Sequence, residues 1–149
     1  MTTCDFAAVG WAITLIGLVI THYLANIRDT RKEVLSGVES LNKSIKLLGD
    51  MANNYYFPAS SGTDKDRIAL DIKIQFNEVE RRIDWLKNLK KSKDFSDELY
   101  ELFDMITGGN FESSSHMPGK QHSDKCHVIG AKIQNIIRNI DKWYEEKYQ

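Results

Sequence analysis

The stretch FAAVGWAITLIGLVITHYLANI, residues 6–27, decides the fold class because its 22 residues include no Asp, Glu, Lys or Arg. At a rise of about 1.5 Å per residue, a helix of this length measures roughly 33 Å, enough to cross a hydrocarbon core of about 30 Å. The preceding Met1–Asp5 lacks the basic residues that begin a cleaved signal peptide. We therefore predict an N-terminal transmembrane anchor over residues 1–27.

The charges on either side of this stretch predict its orientation. Asp5 is the one charged side chain before it, whereas five cations follow within twenty residues. These cations are Arg28, Arg31, Lys32, Lys43 and Lys46. Lys and Arg are enriched in cytoplasmic flanks, so we expect a single-pass protein of the inner (cell) membrane with its N-terminus outside and residues 28–149 in the cytoplasm.

Residues 28–149 are predicted to form an all-α cytoplasmic domain, a bundle of about four helices. The first helix is expected to continue from the anchor to about Asp50, because an apolar stripe recurs at four- and three-residue spacing. The stripe consists of Val34, Val38, Leu41, Ile45 and Leu48. It is typical of a coiled coil between copies of the chain or of the core face of a bundle helix. The polar stretch Ala52–Thr63, which contains Pro and Gly, predicts a break.

Three further helices are expected from periodicity and end signals. The second runs from about Asp64 to Lys91, the third is capped by Ser96 and ended by Gly108-Gly109, and Ser123 caps the last. The stretch Asn110–Gln121 between the last two is predicted to be a loop. The predicted core contains Ile72, Phe76, Val79, Leu102, Ile133, Ile136 and Ile140.

Small residues form a seam within the anchor. Its members recur at three- and four-residue spacing, and they are Ala7, Gly10, Thr14, Gly17 and Thr21. Small residues let helices approach closely in lipid, and Thr can hydrogen-bond across the contact, so the seam predicts a homo-oligomer.

One cluster carries ligand chemistry: His116, His122, Cys126 and His127 lie within twelve residues. Imidazole and thiolate are the usual zinc ligands, which makes these four residues a candidate metal site. The spacing matches no standard zinc pattern, and the alternative is a polar loop with Cys126 in a helix turn.

Cys126 near a helix N-terminus would also have a lowered pKa and could pair with a histidine as a nucleophile. We predict no catalytic or cofactor-binding residue and favour a non-enzymatic protein.

Six cations near the end of the second helix form a basic patch: Arg81, Arg82, Lys87, Lys90, Lys91 and Lys93. Such a patch can hold a nucleotide, RNA or lipid head groups, whereas cations at a helix C-terminus also complement the helix dipole. A nucleotide or a protein is therefore a possible ligand of the cytoplasmic domain.

The architecture of one N-terminal span and a small helical cytoplasmic domain resembles the bitopic proteins of prophages and defence islands. These include single-pass ancillary effectors of CRISPR systems, some with a domain akin to HEPN ribonucleases. The HEPN signature, Arg followed after four to six residues by His, is absent here. The resemblance implies an oligomeric membrane effector that senses a ligand or partner, acting in phage defence or exclusion. The alternatives are a membrane-anchored adaptor and a spanin of phage lysis, whose periplasmic domain disagrees with the basic flank.

Overall fold

The computed structural model describes residues 3–56, 63–90, 93–109, 111–112 and 119–148, with side chains from residue 10 onward except at 63–64, 90 and 119–122. Within these ranges the chain forms four helices and no strand, which confirms the predicted all-α class. The helices are α1 (Thr3–Tyr56), α2 (Thr63–Lys90), α3 (Ser96–Thr107) and α4 (Gly119–Tyr148). The chain divides into two compact units, Met1–Leu35 and Ser36–Gln149, and we call the second the helical unit.

Helix α1 extends six residues beyond the predicted end at Asp50. The predicted break over Ala52–Thr63 is wrong for its first five residues, because Ala52, Tyr55 and Tyr56 continue the buried face, each at most 5% exposed, and for Thr63, which begins α2; residues 57–62 lie outside the described residues. Tertiary packing of these side chains stabilises helical turns that local sequence would end at the polar residues between them.

The predicted N-terminal caps of α3 and α4 are both wrong in position. Helix α3 begins at Ser96, so its cap residue is Phe95, and the carboxylate of Asp94 accepts the Ser96 N–H at 3.1 Å. Asp94 thereby satisfies the first free N–H of the helix, whereas a capping serine would have accepted an N–H from the second or third helical residue. Helix α4 begins at Gly119, one turn before Ser123, which is an exposed residue inside the helix.

The glycine pair ends α3 as predicted. The backbone N–H of Gly108 donates to the carbonyl of Asp104 at 2.7 Å. Gly109 follows with a φ of 73°, a left-handed conformation that costs little without a Cβ.

The apolar stripes predicted from the sequence are buried within the chain. All seven predicted core residues are at most 6% exposed. The α1 stripe from Val34 to Leu48 is at most 3% exposed. Side chains so buried leave no surface for a second copy, so the stripe is a core face of this chain and not a coiled-coil seam between copies.

Helix α2 packs antiparallel to α1 in the helical unit. The side-chain amide of Gln75 donates to the carbonyl of Ser44 at 3.0 Å. Further along, a Cβ at Gly37 would overlap the Trp85 ring, so the glycine permits close approach. From the first of these contacts to the second, the residue number decreases on α1 and increases on α2, so the two helices run in opposite directions.

Helix α4 also packs antiparallel to α1. The amide of Asn42 donates to the carboxylate of Asp141 at 2.8 Å. A Cβ at Gly49 would overlap the side chain of Ile133, which marks a second close approach. Two glycines on α1 therefore receive bulky side chains, one from α2 and one from α4.

Candidate functional site

The N-terminal part of α1 exposes a long apolar surface. Ten large apolar side chains between residues 10 and 27 are 41–72% exposed. They are Trp11, Ile13, Leu15, Ile16, Leu18, Val19, Ile20, Tyr23, Leu24 and Ile27. Neighbours such as Leu18, Val19 and Ile20 point in different directions, so the segment is apolar all round and lacks the polar face of a surface helix.

This segment meets the length and composition of a membrane span. An 18-residue window within Gly10–Tyr56 reaches a mean hydropathy of 1.4, and none of that window is buried. Among the helices that the structure describes, α1 alone is long and apolar enough to cross a membrane by these criteria.

The threonines of the small-residue seam already donate hydrogen bonds within α1. The hydroxyl of Thr14 donates to the carbonyl of Gly10 at 2.9 Å, and that of Thr21 donates to Gly17 at 2.8 Å. A neighbouring helix could therefore use these hydroxyls only as acceptors. A Cβ atom added at Gly10 or at Gly17 would have no other side chain within 4 Å, so nothing in the described chain covers the seam at Gly10–Thr21.

Two of the four candidate metal ligands lie at the start of α4. Cys126 is half-buried and His127 is exposed, whereas His116 and the side chain of His122 lie outside the described residues. Among the described side chains, no group of three or more His, Cys, Asp or Glu residues is placed to hold a metal ion. A zinc site at these four positions stays a prediction.

The expected activation of Cys126 is not observed. Burial raises the pKa of the Cys126 thiol above its ordinary value, and the positive charge of Lys125 opposes this only in part. Because α4 begins at Gly119, Cys126 lies about two turns into the helix, beyond the first turn in which the helix dipole can lower the pKa of a thiol. Burial therefore disfavours the thiolate, which is the form of cysteine that acts as a nucleophile.

The C-terminal end of α1 meets α3 and α4 in a polar cluster that the sequence analysis missed. The buried hydroxyl of Tyr56 donates to the carbonyl of Ile106 in the last turn of α3. Carbonyls in a last helical turn have no partner within their own helix, so Tyr56 supplies the missing donor. Burial, with smaller effects of Tyr55 and Cys126, raises the pKa of Tyr56 and keeps the phenol protonated.

Lys125 of α4 completes the same end of α3. Its ammonium donates to the carbonyl of Gly108 at 2.7 Å and lies 4.5 Å from the centroid of the Tyr56 ring. Burial lowers the pKa of Lys125. A cation at a helix C-terminus complements the helix dipole, so this arrangement favours a structural role in joining three helices.

Tyr55 fixes the residues that follow α3. Its ring lies 4.7 Å from the Phe111 ring, and its hydroxyl accepts the backbone N–H of Glu112 at 2.8 Å. The carboxylate of Glu112 in turn pairs with Lys73 of α2 at 2.7 Å. These partners are separated by 39 to 57 residues in the chain, so no local motif could have predicted the cluster.

Every described side chain of the predicted basic patch forms an ion pair. The pairs are Arg81–Glu78, Arg82–Glu78, Lys87–Asp94 and Lys93–Glu98. The side chains of Lys90 and Lys91 lie outside the described residues. These four cations pair with three carboxylates, because Arg81 and Arg82 share Glu78, and this pairing favours the structural interpretation over a site for phosphates.

Comparison of the chain with protein-family models, with curated proteins and with solved structures finds no match in any of the three. The likeness to single-pass proteins of prophages and defence islands therefore stays a prediction from architecture.

Proposed function

We propose that the chain is a single-pass membrane protein in which the apolar segment of α1 crosses the bilayer and the helical unit lies in the cytoplasm. The observation that carries this proposal is the band of ten exposed apolar side chains between residues 10 and 27. We also propose that the helical unit is an antiparallel four-helix bundle, which the α1–α2 and α1–α4 contacts support.

The energetic cost of leaving this band in water supports a lipid environment. Burying one such side chain stabilises a folded protein by about 1.5–3 kcal/mol. Ten side chains at roughly half exposure therefore leave on the order of 10 kcal/mol of this stabilisation unrealised. A domain's entire net stability is about 5–15 kcal/mol. Lipid covers a helix that is apolar on every side, whereas packing one face against a partner would leave the other faces wet.

The orientation of the proposal rests on the charges that flank the span. Arg28 and Arg31 are both exposed at the C-terminal flank, and Lys32 follows. A cytoplasmic position for these cations places the N-terminus outside.

We further propose that the protein is an oligomeric membrane effector, with copies joined along Gly10, Thr14, Gly17 and Thr21. Support comes from the open space above both glycines, which lets a second helix approach the α1 backbone. Because both hydroxyl hydrogens are donated within α1, the contact relies on close packing more than on hydroxyl hydrogen bonds between helices. Phage defence or exclusion is the setting that the architecture favours, with a nucleotide or protein as the sensed ligand.

The effector and the passive adaptor differ in what expression does to the membrane. We expect induction of the full chain to lower the membrane potential, measured with a voltage-sensitive dye, and Gly17→Leu to abolish that effect by blocking close approach. Val19→Leu is the matched control, because residue 19 lies about 200° around the helix from residue 17. An unchanged potential in the wild-type protein would leave the adaptor as the better account.

Assembly is tested separately by crosslinking Thr14→Cys in membranes, in a chain whose two natural cysteines are replaced by serine. A dimer band from Thr14→Cys that Gly17→Leu removes would support the seam. A monomer alone would contradict the oligomer while leaving the span intact.

A further inference from the structure

Aromatic side chains gather at the end of the helical unit where α1 enters it. Trp85 of α2 covers Gly37, the second residue of the unit. Helix α4 reaches the same end, because Asp141 lies beside Asn42 and the helix continues to Tyr148. We call the side chains of Trp85, Trp143, Tyr144 and Tyr148 the entry surface.

Three rings of the entry surface, those of Trp143, Tyr144 and Tyr148, contact one another above the buried Phe95. Trp143 lies 6.3 Å from the buried Phe95 and 6.2 Å from Tyr148, and Tyr144 stacks on Tyr148 at 5.2 Å. Trp85 is 40% exposed, and the other three rings are half-buried. The entry surface is therefore partly accessible to its surroundings and is not part of the closed core.

The length of the chain limits how far this end of the unit can lie from the proposed span. Eight residues, 28–35, separate the end of the proposed span from the start of the helical unit. Eight residues reach at most about 28 Å even when fully extended, and less in a helix. Trp and Tyr are enriched at membrane–water interfaces because each carries an apolar ring and a polar group.

We propose that the entry surface lies against the phospholipid headgroups of the cytoplasmic leaflet; this rests on the proposed span. The aromatic rings, and not net charge, hold the contact. Lys93 pairs with Glu98 and Lys142 pairs with Glu146, so these cations are already matched by acids. We therefore expect the entry surface to contact zwitterionic phosphatidylcholine headgroups as well as anionic headgroups.

Tryptophan fluorescence of the full chain in phosphatidylcholine vesicles tests this contact, with a nitroxide quencher attached to the lipid headgroup. One variant retains Trp143 alone (Trp11→Phe, Trp85→Phe), and a second retains Trp85 alone. The control carries Phe111→Trp as its only tryptophan. Phe111 contacts Tyr55, which lies eighteen residues, or about 27 Å of helix, beyond Gly37.

We expect the headgroup quencher to reduce the emission of Trp143 and Trp85 strongly and to leave the Phe111→Trp control unchanged. The quenching should be the same when half of the lipid is phosphatidylglycerol. Circular dichroism confirms that each variant retains its helix content. Emission of both native tryptophans that stays as unquenched as the control, in protein that remains with the vesicles, would overturn the surface contact. Quenching only with anionic lipid would overturn its aromatic basis. Protein that does not associate with vesicles would instead overturn the span.

Discussion

Removing the hydroxyl of Tyr56 is the perturbation whose effect follows most directly from the structure. Tyr56→Phe retains the ring, which is 5% exposed and packs at 5.1 Å against Tyr55. It deletes the donor to the Ile106 carbonyl, which the structure places at the buried end of α3. A buried acceptor left without its partner costs about 1–3 kcal/mol.

The expected change in melting temperature follows from the size of the cooperative unit. For a domain of roughly a hundred residues, 1 kcal/mol corresponds to about 4 °C or somewhat more, so Tyr56→Phe should lower the Tm by roughly 4–12 °C. Circular dichroism of the full chain in detergent, followed at the helical band during heating, measures this change.

Tyr100→Phe is the matched control. The hydroxyl of Tyr100 donates to the carboxylate of Glu80, but the residue is 46% exposed and water can replace the lost bond. A surface change of this kind costs at most about 0.5 kcal/mol, so its Tm should stay within about 2 °C of the wild-type protein. Equal Tm values for the two variants would refute the assigned role of Tyr56 as the cap of α3.

Three further predictions concern packing, acid stability and thiol reactivity. Gly49→Val should destabilise the protein by about 1–3 kcal/mol, because the added side chain would overlap Ile133. Gly130→Ala should stabilise it by about 0.5–1 kcal/mol, because the space around Gly130 is open and alanine favours the helix. Urea unfolding measures both changes. The pKa of Asp94 is lowered to about 2 by its hydrogen bonds to a lysine and to the start of α3. The stabilisation that its ionised carboxylate gives the fold is therefore present near neutral pH and is lost as the pH falls through that value. Asp94→Asn should therefore be less stable than wild type at pH 7, and the difference should shrink as the pH falls towards 2; a constant difference would contradict this assignment. The third prediction uses a chain whose other cysteine is replaced by serine. Cys126 of the folded chain should react with iodoacetamide at pH 7.5 more slowly than Cys126 of the same chain unfolded in urea, because burial raises its pKa. Equal rates would show an accessible thiolate in the folded chain.

The apolar spacing predicted the core because buried faces of helices follow the backbone period. Ile72, Val79 and Ile136 are fully buried, as their spacing indicates. The ends of the helices were harder to predict, since they depend on partners elsewhere in the chain. Tyr55 and Tyr56 extend α1 past a polar stretch because α3 and the residues after it receive their side chains.

The polar cluster at the end of α1 could not be predicted, because its members come from three helices. Tyr56 and Ile106 are 50 residues apart, and Lys125 reaches Gly108 across 17 residues. The ion pairs of the basic patch could not be predicted for a related reason, because a run of lysines shows its charge but not which carboxylates lie beside it. Lys87 of α2 pairs with Asp94, which precedes α3.

The central claim, that the N-terminal part of α1 crosses the membrane with its N-terminus outside, is tested by labelling thiols with a membrane-impermeant maleimide. One chain retains Cys4 and carries Cys126→Ser, and the other carries Ser123→Cys, at an exposed position of α4, with both natural cysteines replaced. We expect the maleimide to label Cys4 in cells whose inner membrane is intact, and to label Ser123→Cys only after that membrane is permeabilised. Labelling of Ser123→Cys in cells with an intact inner membrane, or of Cys4 only after permeabilisation, would contradict the account.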